Sequence, residues 1–175
     1  MKTKFLTSLL FVAFLGLNAQ SDYQLLKKDD FAISYPTDWE SSSQLSQPGM
    51  QFLLLSDEST QNNDKFRENI NLTTENLGGQ NLTMDEYAQL SIDQILTQIP
   101  NSKLESKTTS KLDGQESREI IWSADFGNGM VLKFKQLFTL YNGKAYVLTF
   151  SSSTAEYDQF VTVADTVFDS FKFAK

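Results

Sequence analysis

Apolar residues recur along this chain in three rhythms. The first is an uncharged, largely apolar run at residues 5–17 (FLTSLLFVAFLGL), preceded by Lys2 and Lys4. The second is a set of short runs, several with a period of two, separated by polar turns. The third is helical spacing, and it occurs twice.

The short runs predict strands. Residues 23–26 and 31–35 flank Lys27-Lys28-Asp29-Asp30, a polar turn, and read as a hairpin. Pro36-Thr37-Asp38 turns the chain before Trp39. Residues 51–56 (QFLLLS) form a compact apolar strand, and residues 57–65 a polar loop without periodicity. Residues 68–75 alternate, with Ile70 and Leu72 on one side and Asn69, Asn71 and Thr73 on the other. Residues 103–112 and 116–125 flank Asp113-Gly114, and residues 130–141 and 144–151 flank Asn142-Gly143. Both dipeptides tolerate the positive φ that two-residue hairpin turns need.

The first helical stretch opens on Thr83-Met84-Asp85-Glu86, the pattern of a reciprocal capping box. Met84, Ala88, Ile92, Ile95 and Ile99 then fall on one face, and Pro100 stops the helix. The second spans about 154–171, where Tyr157, Phe160, Ala164, Val167, Phe168 and Phe171 make an apolar stripe. That stripe needs an apolar partner. Phe134, Phe138 and Leu140 on one strand, with Tyr146, Leu148 and Phe150 on its neighbour, offer a sheet to dock on. The expected fold is therefore α+β.

The first rhythm reads as a secretory signal peptide over residues 1–19. Thirteen apolar-run residues are too few for a bilayer span, which takes about twenty. Ala19 supplies the small residue at the cleavage point, so Gln20 becomes the N-terminus and residues 20–175 one domain. This places the protein in the periplasm or outside the cell. No cysteine is present, so neither disulfides nor an N-terminal lipid-modified cysteine enter the picture.

Net charge is −7 over 175 residues. The signal carries two lysines and no acids, so its removal leaves 156 residues at −9. An acidic chain repels phosphate backbones and anionic lipid surfaces, which argues against nucleic acid as a partner. There is no histidine, so Ser-His-Asp and Cys-His catalysis and the usual zinc, copper and haem ligand sets are excluded. No phosphate-binding glycine loop occurs.

Carboxylates remain. Asp57, Glu58 and Asp64 share the polar loop at 57–65 and could offer oxygens to calcium, yet they lack the spacing and central glycine of a dedicated loop. Glu116 and Glu119, three apart on a strand, face opposite sides and do not converge for acid–base work. Asn71-Leu72-Thr73 and Asn81-Leu82-Thr83 match the glycosylation acceptor, but Thr83 already caps a helix. Trp39 and Trp122 read as core or core-edge residues. The remaining acids read as solvated, Asp165 and Asp169 on the polar side of the last helix among them.

The run Phe31-Ala32-Ile33-Ser34-Tyr35-Pro36-Thr37-Asp38-Trp39-Glu40 resembles the opening motif of the PsbP-like and DcrB-like domains. Asn69-Ile70-Asn71-Leu72, the Tyr-Val-Leu-Thr-Phe strand at 146–150, and Ser170-Phe171-Lys172 follow in the family's order. The resemblance implies about six antiparallel strands covered by helices on both faces, an α/β/α sandwich. Members are mostly not enzymes and include envelope proteins. The expected function is a non-catalytic exported accessory or binding protein of the cell envelope, with no cofactor and an envelope protein or lipid-like ligand as partner. The alternatives are a carboxylate-dependent enzyme and a calcium-dependent binding module.

Overall fold

The structure is a computed structural model that describes residues 22–61, 65–127 and 129–174. The expected signal peptide, Gln20 and Asp64 lie outside those residues. Among the described residues no helix is long and apolar enough to cross a membrane.

In chain order the elements are β1 Tyr23–Lys27, β2 Phe31–Pro36, β3 Glu40–Ser41, β4 Met50–Leu55, β5 Asn69–Asn76, α1 Met84–Gln98, β6 Ser102–Leu112, β7 Gln115–Asp125, β8 Val131–Tyr141, β9 Lys144–Ser153, α2 Tyr157–Asp169 and β10 Lys172–Phe173. A single turn of 3-10 helix, Glu58–Thr60, breaks the loop after β4. Seven strands form one antiparallel sheet in the order β3-β4-β5-β9-β8-β7-β6, and β1-β2-β10 form a second. The α+β architecture and the expected hairpins are present. Asp113 and Gly114 adopt φ of 47° and 81°, Asn142 and Gly143 of 49° and 73°, so both central residues of each tight turn are left-handed.

Each helix covers a different half of the seven-stranded sheet, on a different face. α1 lies over β6, β7 and β8. Its Met84, Ala88 and Ile92 pack with Ile120, Trp122, Ala124 and Phe138. α2 crosses the other face over β9, and the small sheet closes that side. There Ala164, Val167, Phe168 and Phe171 meet Phe52, Leu54, Ile70, Leu72, Tyr146, Leu148 and Phe150, with Phe31 and Ile33 from β2. Pairing of Phe138 with Val147 and of Leu137 with Leu148 fixes the parity. Phe134, Phe138 and Leu140 therefore belong to the α1 face, whereas Tyr146, Leu148 and Phe150 belong to the α2 face. The expectation that both sets lie under the last helix is corrected here: adjacent strands paired in this register put them on opposite sides.

The last helix is also shorter than its apolar stripe. β9 continues to Ser153, and the helix begins only at Tyr157. It ends because Ser170 turns inward: its hydroxyl donates to the Val167 carbonyl at 2.6 Å and accepts from the Ser34 N–H at 2.8 Å. Phe171 is wholly buried just beyond the helix. α1 is held by the expected capping box, with the Thr83 hydroxyl accepting from the Glu86 N–H and Glu86 accepting from the Thr83 N–H at 2.8 Å. At the sheet margins, β3 has two residues and β6 eleven. Pairing of β6 with β7 skips Glu105 between Leu104 and Ser106, a bulge.

Candidate functional site

The diagonal placement of the helices leaves two quadrants of the large sheet uncovered, and they differ in chemistry. On the α2 face, beyond the helix, Lys133 pairs with Glu105 at 2.9 Å. Lys135 pairs with Asp165 at 2.5 Å and Glu119 at 3.2 Å. Burial pulls the Lys135 ammonium down, but the Asp165 hydrogen bond and the Glu119 charge outweigh it and leave the group above its ordinary value. Asp165 is therefore half-buried and paired, not simply solvated as expected. Glu119 lies on this face and Glu116 on the other, bonded to Arg118 at 2.8 Å, so the two do not converge.

On the α1 face, β5 and β9 lie beside the helix and floor a groove of about 500 Å³. Its floor follows from register. Asn71 stands opposite Thr149, and Thr149 opposite Gln136, so three polar side chains cross three adjacent strands. Gln136 accepts from Trp122 Nε1 at 2.9 Å and donates through Nε2 to Thr149 Oγ1 at 3.1 Å. Trp122 is thus buried as expected, yet its indole N–H also orients the floor. Phe134 stacks on Trp122 with centroids 4.0 Å apart, and Phe126 meets Phe134 edge-on at 6.3 Å. One wall is α1, which presents Ser91, Gln94, Ile95 and Gln98. The lower half of the expected α1 stripe, Ile95 and Ile99, therefore faces the groove and is only half-buried.

Arg118 sets that wall. It is nine-tenths buried and grips Asp85 in the first turn of α1, Nε to Oδ1 at 2.6 Å and Nη2 to Oδ2 at 2.9 Å. The Arg118 hydrogen bond holds the Asp85 carboxyl below the usual carboxylate range. Tyr87, at the groove's inner end, donates to Glu75 at 3.2 Å. Burial, then the Glu75 charge, push its phenol up to about 12, so it stays a neutral hydroxyl. No Asp, Glu, Lys or Arg among the described residues lines the groove.

The two described candidate calcium ligands are otherwise engaged. Asp57 accepts from the Ser59 N–H at 2.9 Å to cap the 3-10 turn, and Glu58 lies 3.9 Å from Arg67. Trp39 is buried among the residues of the α2 side. The expectation that the remaining acids are solvated is overturned at two further positions. Glu68 is wholly buried and accepts from Ser152 Oγ at 3.2 Å, and Glu156, just before α2, is 5% exposed. Glu68 continues inward the parity of Ile70 and Leu72, one residue before β5 begins. Neither acid borders the groove, since Glu68 and Ser152 share the parity of the opposite face.

Solved structures match this architecture at low sequence identity. CyanoP from Synechocystis sp. PCC 6803 is similar with a TM-score of 0.64 at 16% identity, over 93% of this chain and 99% of that one. LpqN of Mycobacterium tuberculosis, described as involved in cell envelope biogenesis, gives 0.61 at 13%, over 87% and 91%. The Ran-binding protein Mog1p of Saccharomyces cerevisiae gives 0.58 at 8%, over 86% and 94%. At these identities the likeness is one of fold. No curated protein sequence matches. The profile of the family described as PsbP-like protein, however, matches residues 17–173, from the end of the expected leader to β10. The chain therefore belongs to the PsbP-like protein family.

Proposed function

We propose that this protein is a non-catalytic, exported binding protein of the cell envelope, and that the groove between α1 and the sheet is its working site. The observation that carries this reading is the lining: convergent amides and hydroxyls beside aromatic rings, with no Asp, Glu, Lys or Arg among its described residues. Its volume lies within the range of about 300–1,000 Å³ usual for ligand sites. Export is supported by the apolar run behind Lys2 and Lys4, and an envelope setting by the likeness to LpqN.

Two measurements test this. N-terminal sequencing of the protein from its host's envelope or medium is expected to begin at Gln20; Met1 retained in the cytoplasm overturns export. A photo-crosslinking residue at Gln94, on the groove rim, is expected to give a discrete adduct in the envelope. The same residue at Leu25, which is 65% exposed on the small sheet, is expected to give none. Equal labelling at both positions counts against the groove. Substrate turnover that depends on Glu68 or Glu156 counts against a non-catalytic role.

A further inference from the structure

Resting on that reading of the groove, we propose that its ligand is a neutral glycan, held by stacking on Phe126 and Phe134 and by hydrogen bonds to Gln136, Asn71 and Thr149. The first argument is charge. Of 175 residues, 37 are Asp, Glu, Lys or Arg, yet none of those described borders this groove. The other uncovered quadrant of the same sheet is a charged layer. A phosphate, a carboxylate or a charged peptide would find no counter-ion here, and burying an unpaired charge is costly.

The second argument is polarity. Asn71, Thr149 and Gln136 form a continuous polar row on a sheet face whose other half is apolar. An acyl chain laid over that row would desolvate amides and hydroxyls without replacing their hydrogen bonds. The lipid-like ligand that the sequence suggested does not fit this floor.

The third argument separates glycan from peptide. Extended peptides usually add to a free sheet edge, and helical ones need an apolar groove. The groove floor is the flat of β5, β9 and β8, all interior strands whose backbone is committed to neighbours on both sides. What the floor offers instead is side chains that both donate and accept. After bonding Trp122 and Thr149, the Gln136 amide keeps one N–H and one Oε1 lone pair, and Thr149 keeps its hydroxyl hydrogen. Sugar hydroxyls have the same dual character. The electron-rich face of an aromatic ring attracts the C–H face of a pyranose. Phe126 is 50% exposed at the groove's end and fits that role without burial of its own.

The test is calorimetric titration of the exported protein with maltohexaose, cellohexaose, mannohexaose and chitohexaose. Hexagalacturonate, laurate and an uncharged extended heptapeptide serve as comparators. At least one neutral hexasaccharide is expected to bind saturably, and the comparators not at all. Phe126→Ala and Gln136→Ala are each expected to weaken binding at least ten-fold while the unfolding midpoint stays within a few degrees. The same loss is expected in quenching of Trp122 fluorescence, which Phe126→Ala, a change at an exposed ring, does not disturb by unfolding. Failure of all four sugars overturns the assignment, as does binding that survives both substitutions or that appears only with a comparator. An envelope adduct at Gln94 together with no sugar binding leaves the groove as the working site and removes only the glycan.

Discussion

Two quadrants of one sheet face water in this protein, and they do so in different ways. The quadrant beside α2 carries Lys133, Lys135, Glu105 and Glu119, linked in ion pairs that reach to Asp165. That is the ordinary way for an uncovered sheet face to remain soluble. The quadrant beside α1 carries Asn71, Thr73 and Gln136 over the buried Thr149 and Ser151, with Phe126 and Phe134 at its end. They meet only at β8: the charged quadrant lies on β6, β7 and β8, the polar one on β5, β9 and β8, on opposite faces. Charge is a general solution to exposure; an uncharged polar surface sunk beside aromatic rings is specific, because it suits fewer ligands. The covered quadrants are alike in packing, so stability and recognition should separate cleanly between covered and open halves.

The strongest challenge to that separation is in the covered half. Phe168 lies mid-helix on α2 at 4% exposure, and Phe168→Ala is expected to cost about 3–5 kcal/mol in urea melts. A loss under about 1 kcal/mol would mean that α2 is not the lid of the core. Next comes the wall of the groove. Thr83→Ala removes both hydroxyl contacts of the α1 capping box and is expected to cost about 1 kcal/mol. α2 has no side-chain cap at its N-terminus, so its start rests on burial and not on a local signal. Smaller again is the open floor. Thr149→Val is expected to change stability by no more than about 0.5–1 kcal/mol, since Gln136 keeps water as an alternative partner, while ligand affinity falls. A large stability loss there would show that the polar row holds the sheet together and is not a recognition surface.

The smallest effect concerns pH. The folded-state value of Asp85 is depressed by Arg118, so its contribution is fully present above the unfolded carboxylate value, about 3.9. It is lost as pH falls through the lower folded value. Asp85→Asn is expected to lower stability slightly above about pH 5, where the ion pair is intact, and to make the acid limb of the stability profile shallower. The Asp85 carboxylate is largely exposed, so solvent screens the pair from that side, and an unchanged acid limb would assign the acid sensitivity to other carboxylates.

Local rules made much of this fold legible. Asp113-Gly114, Asn142-Gly143 and Thr83 through Glu86 act within a few residues, and each does in the structure what its chemistry requires. What stayed hidden depends on register between strands. Phe134 and Tyr146 both looked suited to the last helix, and only the pairing of β8 with β9 assigns them to opposite faces. Asn71 and Thr73 looked like a solvent side because their neighbours are buried; that another element would wall them into a groove is not a local property. One further signal is present in the sequence. Gln136 interrupts the alternation of Phe134 and Phe138, a polar residue at an inward position of a long strand. Glu68 was similarly readable by carrying the Ile70 and Leu72 parity back one step beyond β5.

The bulged margin of the large sheet has a consequence for how copies of this protein meet. Eleven residues of β6 present backbone groups that could template another strand, the route by which sheets grow into fibrils. Lys103, Lys107 and Lys111 are spread along that border, and the bulge at Glu105 interrupts its hydrogen-bonding rhythm. Two molecules approaching border to border, antiparallel, would set one row of ammonium groups against another. At the far margin β3 offers a landing strip of only two residues. Strand-by-strand growth of the large sheet is thus opposed at both of its margins, by charge and a bulge at one and by brevity at the other.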